Sequence, residues 1–123
     1  MQPLGGKLAV VYIAEAHAAD EWPINSSRCR GPANSIVAPR SLDERRAVAR
    51  RMVDSLGLNG LRVLADGIDD AFLTAYAAWP VRLYGVGRDG LLARIAQPEH
   101  GQFHLPQLRD WLLAECDSAT PNP

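Results

Sequence analysis

The sequence predicts an α/β fold in which a mixed β-sheet is flanked by helices. Short β-branched apolar segments alternate with segments whose apolar residues recur at helical spacing. A hairpin signal, Gly87-Arg88-Asp89-Gly90, separates two apolar segments near the C-terminal end. A length of 123 residues and an apolar fraction of 47% are typical of one small globular domain.

The first predicted element is a strand over residues 7–13, KLAVVYI, which is apolar on both faces and is therefore expected to be buried on both sides of the sheet. Residues 18–40 contain Pro23, Pro32 and Pro39 and keep neither a helical nor a strand period. They predict a long loop, and loops of this length inside a compact domain are often functional.

The clearest helix signal is the capping box Ser41–Glu44, in which the Ser41 hydroxyl accepts from the Glu44 amide and the Glu44 side chain reaches back. Gly57 is expected to end the helix at its C′ position. Between them, one apolar stripe recurs at three- and four-residue steps, made of Leu42, Ala49, Met52, Val53 and Leu56.

The remaining elements follow from local signals. Leu61–Ala65 predicts a second strand, and Asp69 or Asp70 is expected to cap a short helix reaching about Ala77, with Phe72, Ala75 and Tyr76 buried. Two hairpin strands are predicted at Val81–Val86 and Leu91–Ala96. A closing helix has Pro106 in its first turn. Its core-facing residues are expected to be Leu105, Leu108, Trp111, Leu112 and Cys116.

This order of elements is that of the later part of a thioredoxin-like domain. Pro80, directly before the first hairpin strand, strengthens that interpretation, because such domains carry a proline there that is usually cis and flanks the substrate groove. We expect a single domain over residues 1–116 and a disordered tail over residues 117–123.

Charge and composition exclude several function classes. Lys and Arg total 13 against 14 Asp and Glu, so the chain is not a strongly basic nucleic-acid binder. The longest apolar run, Leu8–Ile13, is far shorter than the ~20 residues of a membrane span, and no signal peptide is apparent. We therefore expect a cytoplasmic protein without nucleic-acid or membrane partners.

Several blocks of the sequence resemble the iodothyronine deiodinase family. Tyr12–Trp22, YIAEAHAADEW, resembles its Tyr-Ile-x-Glu-Ala-His signature followed by x-x-Asp-x-Trp. Arg40–Arg45, RSLDER, is similar to its Arg-Ser-Leu-Glu-Asp-Arg helix start. Tyr76–Tyr84, YAAWPVRLY, looks like its Tyr-x-Ala-x-Pro-x-Arg-Leu-Tyr segment, and Asp66 stands where the family's next strand ends in Asp. The resemblance covers about residues 8–113.

That resemblance implies a thioredoxin-like fold and a redox enzyme of a selenoprotein family. In the family, a selenocysteine or cysteine attacks iodine on an aromatic ring, and external thiols regenerate it. The implied partners are a small aromatic or halogenated substrate and a thiol reductant, with no further cofactor.

The sequence departs from the family pattern at its start and at one histidine. The family's catalytic strand and helix should lie about 25–30 residues before Lys7, whereas residues 1–6 contain no cysteine. We expect a truncated domain whose nucleophile, with selenocysteine as one option, lies upstream. Because a lost central strand leaves unpaired edges, the chain is expected to be unstable, swapped or a homodimer. The family's thyronine-binding histidine corresponds to Pro39.

Glu15 and His17 are the candidate catalytic residues. They follow a predicted buried strand, and α/β sheets place their sites at the carboxyl ends of strands. Histidine exchanges protons near neutral pH, so the pair would protonate a leaving group or activate a selenol. The structural alternative is a pair that caps the loop.

The candidate substrate-binding residues are Asp20, Trp22, Arg40 and Pro80. The Trp22 indole can stack on an aromatic substrate ring, or alternatively cover the core beside Pro23.

The cysteine and histidine patterns give weaker signals. Cys29 lies between two arginines, which favour a thiolate, and it is the candidate redox thiol if it is not an incidental surface cysteine. His100 and His104 have no third soft ligand nearby, so no metal site is expected.

Three hypotheses remain at this point. The first is a deiodinase-like oxidoreductase with its nucleophile upstream. The others are a peroxiredoxin-like thiol peroxidase or redox partner that uses Cys29, and a non-catalytic thioredoxin-fold binding module.

Overall fold

The computed structural model describes residues 5–24 and 35–117. Their elements confirm the α/β class. They occur in the order β1 (Ala9–Tyr12), α1 (Leu42–Leu56), β2 (Arg62–Ala65), α2 (Ala71–Tyr76), β3 (Leu83–Val86), β4 (Leu92–Ala96) and α3 (Leu105–Asp117). Cys29 and the predicted tail after residue 117 lie outside the described residues.

The chain divides into two compact units. The first is Leu8–Pro80, and the second is Val81–Pro123 together with Met1–Lys7. The described strands form one parallel pair in the first unit and one antiparallel pair in the second.

In the first unit, β1 and β2 are parallel neighbours connected through α1. The register pairs Ala9 with Arg62 and Tyr12 with Ala65, so the carboxyl ends of both strands meet at one edge. The expectation that the first strand is buried on both faces is wrong, because every residue of β1 is exposed or half-buried. A two-stranded sheet offers few neighbours to cover either face.

The ends of α1 follow the local sequence signals. The Glu44 amide donates to the Ser41 hydroxyl at 3.2 Å, while the Glu44 carboxylate accepts from the backbone of Arg40 at 2.6 Å. Gly57 ends the helix in the left-handed conformation, φ 66°, and its N–H donates to the Val53 carbonyl. The predicted capping box is confirmed, with the Glu44 contact one residue further back.

The short helix α2 is capped differently from the prediction. Asp70 occupies the N-cap position in the left-handed region and makes no side-chain cap bond. The carboxylate of Asp66 instead accepts from the amides of Phe72 and Leu73, both at 2.9 Å. The predicted buried face is also wrong, because Tyr76 is 47% exposed, Ala75 is exposed and Phe72 is only half-buried.

The second unit is the predicted hairpin followed by the closing helix. β3 and β4 pair in antiparallel register with an irregularity at Gly85 and Val86. A Cβ atom at Gly85 would overlap the Trp111 indole, so the small residue is what lets α3 approach this strand. Leu105, predicted to face the core, is 62% exposed because it begins the helix beside the loop.

Candidate functional site

The carboxyl end of β1 places Tyr12 beside Glu15. The Tyr12 hydroxyl donates a hydrogen bond to Oε2 of Glu15, and both residues are half-buried. Burial raises the pKa of the Tyr12 phenol, and the adjacent Glu15 carboxylate raises it further. The phenol is therefore a dependable donor that fixes one oxygen of Glu15 and leaves the other for a ligand or a proton.

His17 lies two residues further along the same loop. Nδ1 of His17 lies 3.2 Å from the Trp22 carbonyl, which makes Nδ1 the donor atom, and the two ring centroids are 5.0 Å apart. This contact favours the tautomer that carries its proton on Nδ1. Nε2 then remains as the nitrogen that can accept or deliver a proton.

Trp22 and Trp79 form an exposed aromatic pair. Their ring centroids are 6.5 Å apart with an interplanar angle of 18°. The side chains are 62% and 41% exposed, respectively. Two nearly parallel indoles that remain accessible form a surface on which a further aromatic ring can stack.

Sequence reasoning singled out Trp22 but missed Trp79, which it treated as part of a helix break. The only local signal for Trp79 was its position before Pro80. The peptide bond between Trp79 and Pro80 is cis, as predicted.

Asp20 and Arg40 join the two described ends of the long loop. The Asp20 carboxylate accepts from the Ala38 amide at 2.8 Å and from Nη2 of Arg40 at 3.0 Å. These contacts, led by the Ala38 amide, hold the pKa of Asp20 below its usual range. Arg40 also lies 3.7 Å from Glu21. The structure thus brings two predicted substrate-binding residues together, with each already engaged by the other.

Arg45 organises the loop that follows β2, and sequence reasoning missed it. It is 3% exposed, and its Nη2 lies 2.8 Å from the Asp70 carboxylate. Nη1 donates to the carbonyl of Gly67. Asp66 is also buried, and its N–H donates to the Tyr12 carbonyl at 2.8 Å. Buried polar contacts hold the loop after β2 in place, so these residues have a structural role at the carboxyl edge of the strand pair.

We define the β1 corner as Tyr12, Glu15, His17, Trp22 and Trp79. Three contacts link its members in pairs: the phenol–carboxylate bond, the imidazole–indole contact and the indole pair. It combines a proton-exchanging imidazole, a carboxylate held by a phenol, and a stacking surface. The described residues of the first unit contain no cysteine, and Cys116 lies on α3 in the second unit.

Comparison with known proteins gives a family match over most of the chain. The profile of the iodothyronine deiodinase family matches residues 6–115. A type I iodothyronine deiodinase of Xenopus laevis is 36% identical over 61% of this chain and 27% of its own length.

Two thyroxine 5-deiodinases also match. The protein of Sparus aurata is 30% identical over 84% of this chain and 36% of its own length. That of Aquarana catesbeiana is 31% identical over 92% of this chain and 39% of its own length. The chain therefore spans between about a quarter and two fifths of the length of these relatives.

The family match corrects the predicted cytoplasmic location, which is wrong. That prediction depended on the lack of an apolar leader or span in this sequence, whereas the relatives that it matches are membrane-anchored deiodinases. Within residues 5–24 and 35–117, no helix combines the length and the apolar character needed to cross a bilayer.

Proposed function

We propose a function from one established premise: the chain belongs to the iodothyronine deiodinase family. We infer that it carries the proton-transfer and aromatic-binding part of a deiodinase-like oxidoreductase. Its substrate is a small iodinated or otherwise halogenated aromatic compound, and its reductant is a thiol. The family match favours this function over a thiol peroxidase based on Cys29 and over a non-catalytic binding module.

The observation that carries the proposal is the stacked pair of Trp22 and Trp79 next to His17. An iodinated phenol needs a flat apolar surface for its ring and a proton donor near the carbon that loses iodine. The exposed indoles provide the surface. In its doubly protonated form His17 provides the proton from Nε2, because Nδ1–H is engaged by the Trp22 carbonyl.

The proposed reaction is a two-electron reduction of the carbon–iodine bond. A thiolate or selenolate outside the described residues attacks iodine, the carbon–iodine bond breaks, and its electron pair stays on the ring carbon. That carbon takes a proton from His17, so a sulfur–iodine or selenium–iodine bond and a carbon–hydrogen bond replace the original one. Two thiols then release iodide, become a disulfide and regenerate the nucleophile.

Glu15 has a positioning role in this scheme. The Tyr12 hydroxyl holds one of its oxygens, so the carboxylate keeps a fixed place on the loop that carries His17. Asp20 and Arg40 hold the same loop closed through their ion pair.

The same premise supports a thioredoxin-like domain over residues 1–116. The parallel pair β1–β2 with α1 as its connection, and the antiparallel pair β3–β4 followed by α3, are arrangements that such a domain contains. In that fold Pro80 flanks the substrate groove, and its neighbour Trp79 is half of the stacking surface.

The experiment is iodide release from thyroxine by the purified protein with excess dithiothreitol, which can serve as the attacking thiol and is also the reductant. We expect release above the rate of dithiothreitol alone. His17→Gln should lower the rate by about 100-fold, since positioned acid–base groups contribute on the order of 10²–10⁴. Glu15→Gln should lower it by about tenfold, whereas Asp54→Asn, an exposed carboxylate on α1, should leave it unchanged.

Iodide release no faster than with dithiothreitol alone would refute deiodination by this chain. Release that survives His17→Gln would refute the role given to His17. In this assay the attacking thiol can come from Cys29 or from dithiothreitol. Cys29→Ser should stop the reaction in the first case and leave it unchanged in the second.

A further inference from the structure

The second unit contains a cleft that the proposed function does not use. It has a volume of about 530 Å³ and lies among the β3–β4 hairpin, the loop over residues 97–104 and the start of α3. Its apolar lining comes mainly from Leu83, Ile95, Phe103 and Leu108. A volume of this size is in the range of small-molecule sites, about 300–1,000 Å³.

Arg94 brings a positive charge into this cleft. It lies on β4 opposite Gly85 and is half-buried. Among the described residues, its Nε–H is enclosed and has no hydrogen-bond partner. Its Nη2 lies 3.5 Å from Oε1 of Gln107, which is a weak contact for a charged donor. The guanidinium therefore has donor capacity that the described chain does not satisfy.

Other polar side chains line the same cleft. Nδ1 of His104 accepts from the Gln107 amide at 3.3 Å, which leaves Nε2 of His104 as its donor. His100 adds a second imidazole and Glu99 a carboxylate, both on exposed residues of the lining loop. The Glu99 backbone is paired with Gln102, and its carboxylate makes no described ion pair with Arg94.

We propose that this cleft binds a small carboxylate that has an apolar body. The planar guanidinium of Arg94 matches the two oxygens of a carboxylate, and arginine is the side chain best suited to that geometry. The side-chain amide of Gln107 and Nε2 of His104 offer further donors in the cleft. The apolar lining contacts the apolar body of the ligand. An inorganic anion has no such body, so the cleft should prefer the organic carboxylate.

The test is a titration of the ¹⁵N-labelled protein with benzoate, followed by NMR. Benzoate supplies a carboxylate and an apolar ring, and benzamide serves as its uncharged control. We expect saturable shifts of the Arg94 Nε–H, the Gln107 side-chain amide and the backbone of residues 94–108. Benzamide should bind at least about tenfold more weakly, as expected for loss of a charged hydrogen-bond acceptor.

Arg94→Gln should weaken benzoate binding by at least about tenfold, because one charge-assisted pair is lost. Arg94→Lys keeps the charge and the aliphatic part of the side chain, so it tests the proposal if Arg94→Gln does not fold. It should weaken benzoate binding by about fivefold, because the planar pair of N–H donors is lost. Arg109→Gln is the matched control, because Arg109 is an exposed arginine of α3 paired with Asp110, and it should not change binding.

Three results would overturn the proposal. They are shifts that do not saturate, equal binding of benzamide, and unchanged benzoate affinity in folded Arg94 variants. Saturable shifts with inorganic phosphate equal to those with benzoate would also overturn it, since the apolar body would then contribute nothing. None of these outcomes depends on iodide release, so they are separate from the test of the proposed function.

Discussion

The loops that follow β1 and β2 leave the same edge of a parallel strand pair but are built in different ways. After β2, Asp66 is buried and accepts from two backbone amides, and the buried Arg45 of α1 donates to a backbone carbonyl of this loop. After β1, Glu15 and His17 are half-buried and Trp22 is largely exposed. One loop uses its polar groups to hold the fold, and the other leaves them accessible.

This difference shows which polar residues at a strand end are candidates for chemistry. The Asp66 carboxylate is 5% exposed and each of its oxygens accepts from a helix amide, so it is not accessible to a substrate. A carboxylate held at one oxygen by a phenol, as with Glu15, retains the other. The following variants test whether the two loops really differ in this way.

The largest expected effect is on the β2 side. Arg45→Met removes a buried guanidinium and its contacts to the Gly67 carbonyl and the Asp70 carboxylate, so the free energy of unfolding should fall by about 1–3 kcal/mol. Urea denaturation followed by circular dichroism measures this. Arg46→Met, at an exposed neighbour of the same helix, should cost less than about 0.5 kcal/mol. Equal losses of unfolding free energy in the two variants would show that Arg45 does not hold the loop after β2 in place.

A smaller effect is expected at Tyr12, whose raised pKa determines the direction in which folding stability changes with pH. The pKa of the Tyr12 phenol is higher in the folded state than in the unfolded state, where it is about 10. The protonated phenol therefore contributes its full stabilisation below about pH 10, and this contribution is lost as the pH rises through the pKa of the folded state. The alkaline absorbance titration of the three tyrosines should therefore show one late phase that Tyr12→Phe removes.

Tyr12→Phe should also lower the unfolding free energy at neutral pH by about 1 kcal/mol, through loss of the bond to Glu15. If the late phase survives this substitution, the phenol that titrates late is another tyrosine, and the contact to Glu15 does not perturb Tyr12.

The smallest effect is expected at Asp20, on the exposed surface. Its pKa is lowered, so its contribution to stability is present above the unfolded pKa of an aspartate and is lost as the pH falls through the folded value. The melting temperature of Asp20→Asn should therefore lie below that of the parent at pH 7, and the two should converge in acid. A difference that stays constant with pH would mean that the charge of Asp20 contributes nothing.

The elements that local chemistry specifies were predictable from the sequence. Ser41, Glu44 and Gly57 mark the ends of α1 through contacts within a few residues. The turn at residues 87–90 likewise fixes the β3–β4 hairpin. These signals depend on neighbours in the chain, so no tertiary information was needed.

The features that the sequence did not reveal all depend on contacts between distant residues. In the sequence, Arg45 is one of several arginines on α1. It is buried because it packs against the loop after β2, and no local pattern indicates that contact. Asp66 caps α2 from a position that no capping pattern covers. The pairing of Trp22 with Trp79 joins residues far apart in sequence. The family signature placed Glu15 and His17 after the first strand, as the structure does, but did not show that the Tyr12 hydroxyl bonds to Glu15.

The most direct test of the account is tryptophan fluorescence during titration with thyroxine. The chain has three tryptophans, Trp22, Trp79 and Trp111, and iodine quenches an indole that it contacts. We predict saturable quenching in the parent protein, weaker quenching in Trp79→Phe, and only the collisional quenching of free N-acetyltryptophanamide when Trp22 and Trp79 are both replaced by phenylalanine. Saturable quenching that persists unchanged in the double variant would contradict the claim that the β1 corner receives the aromatic substrate.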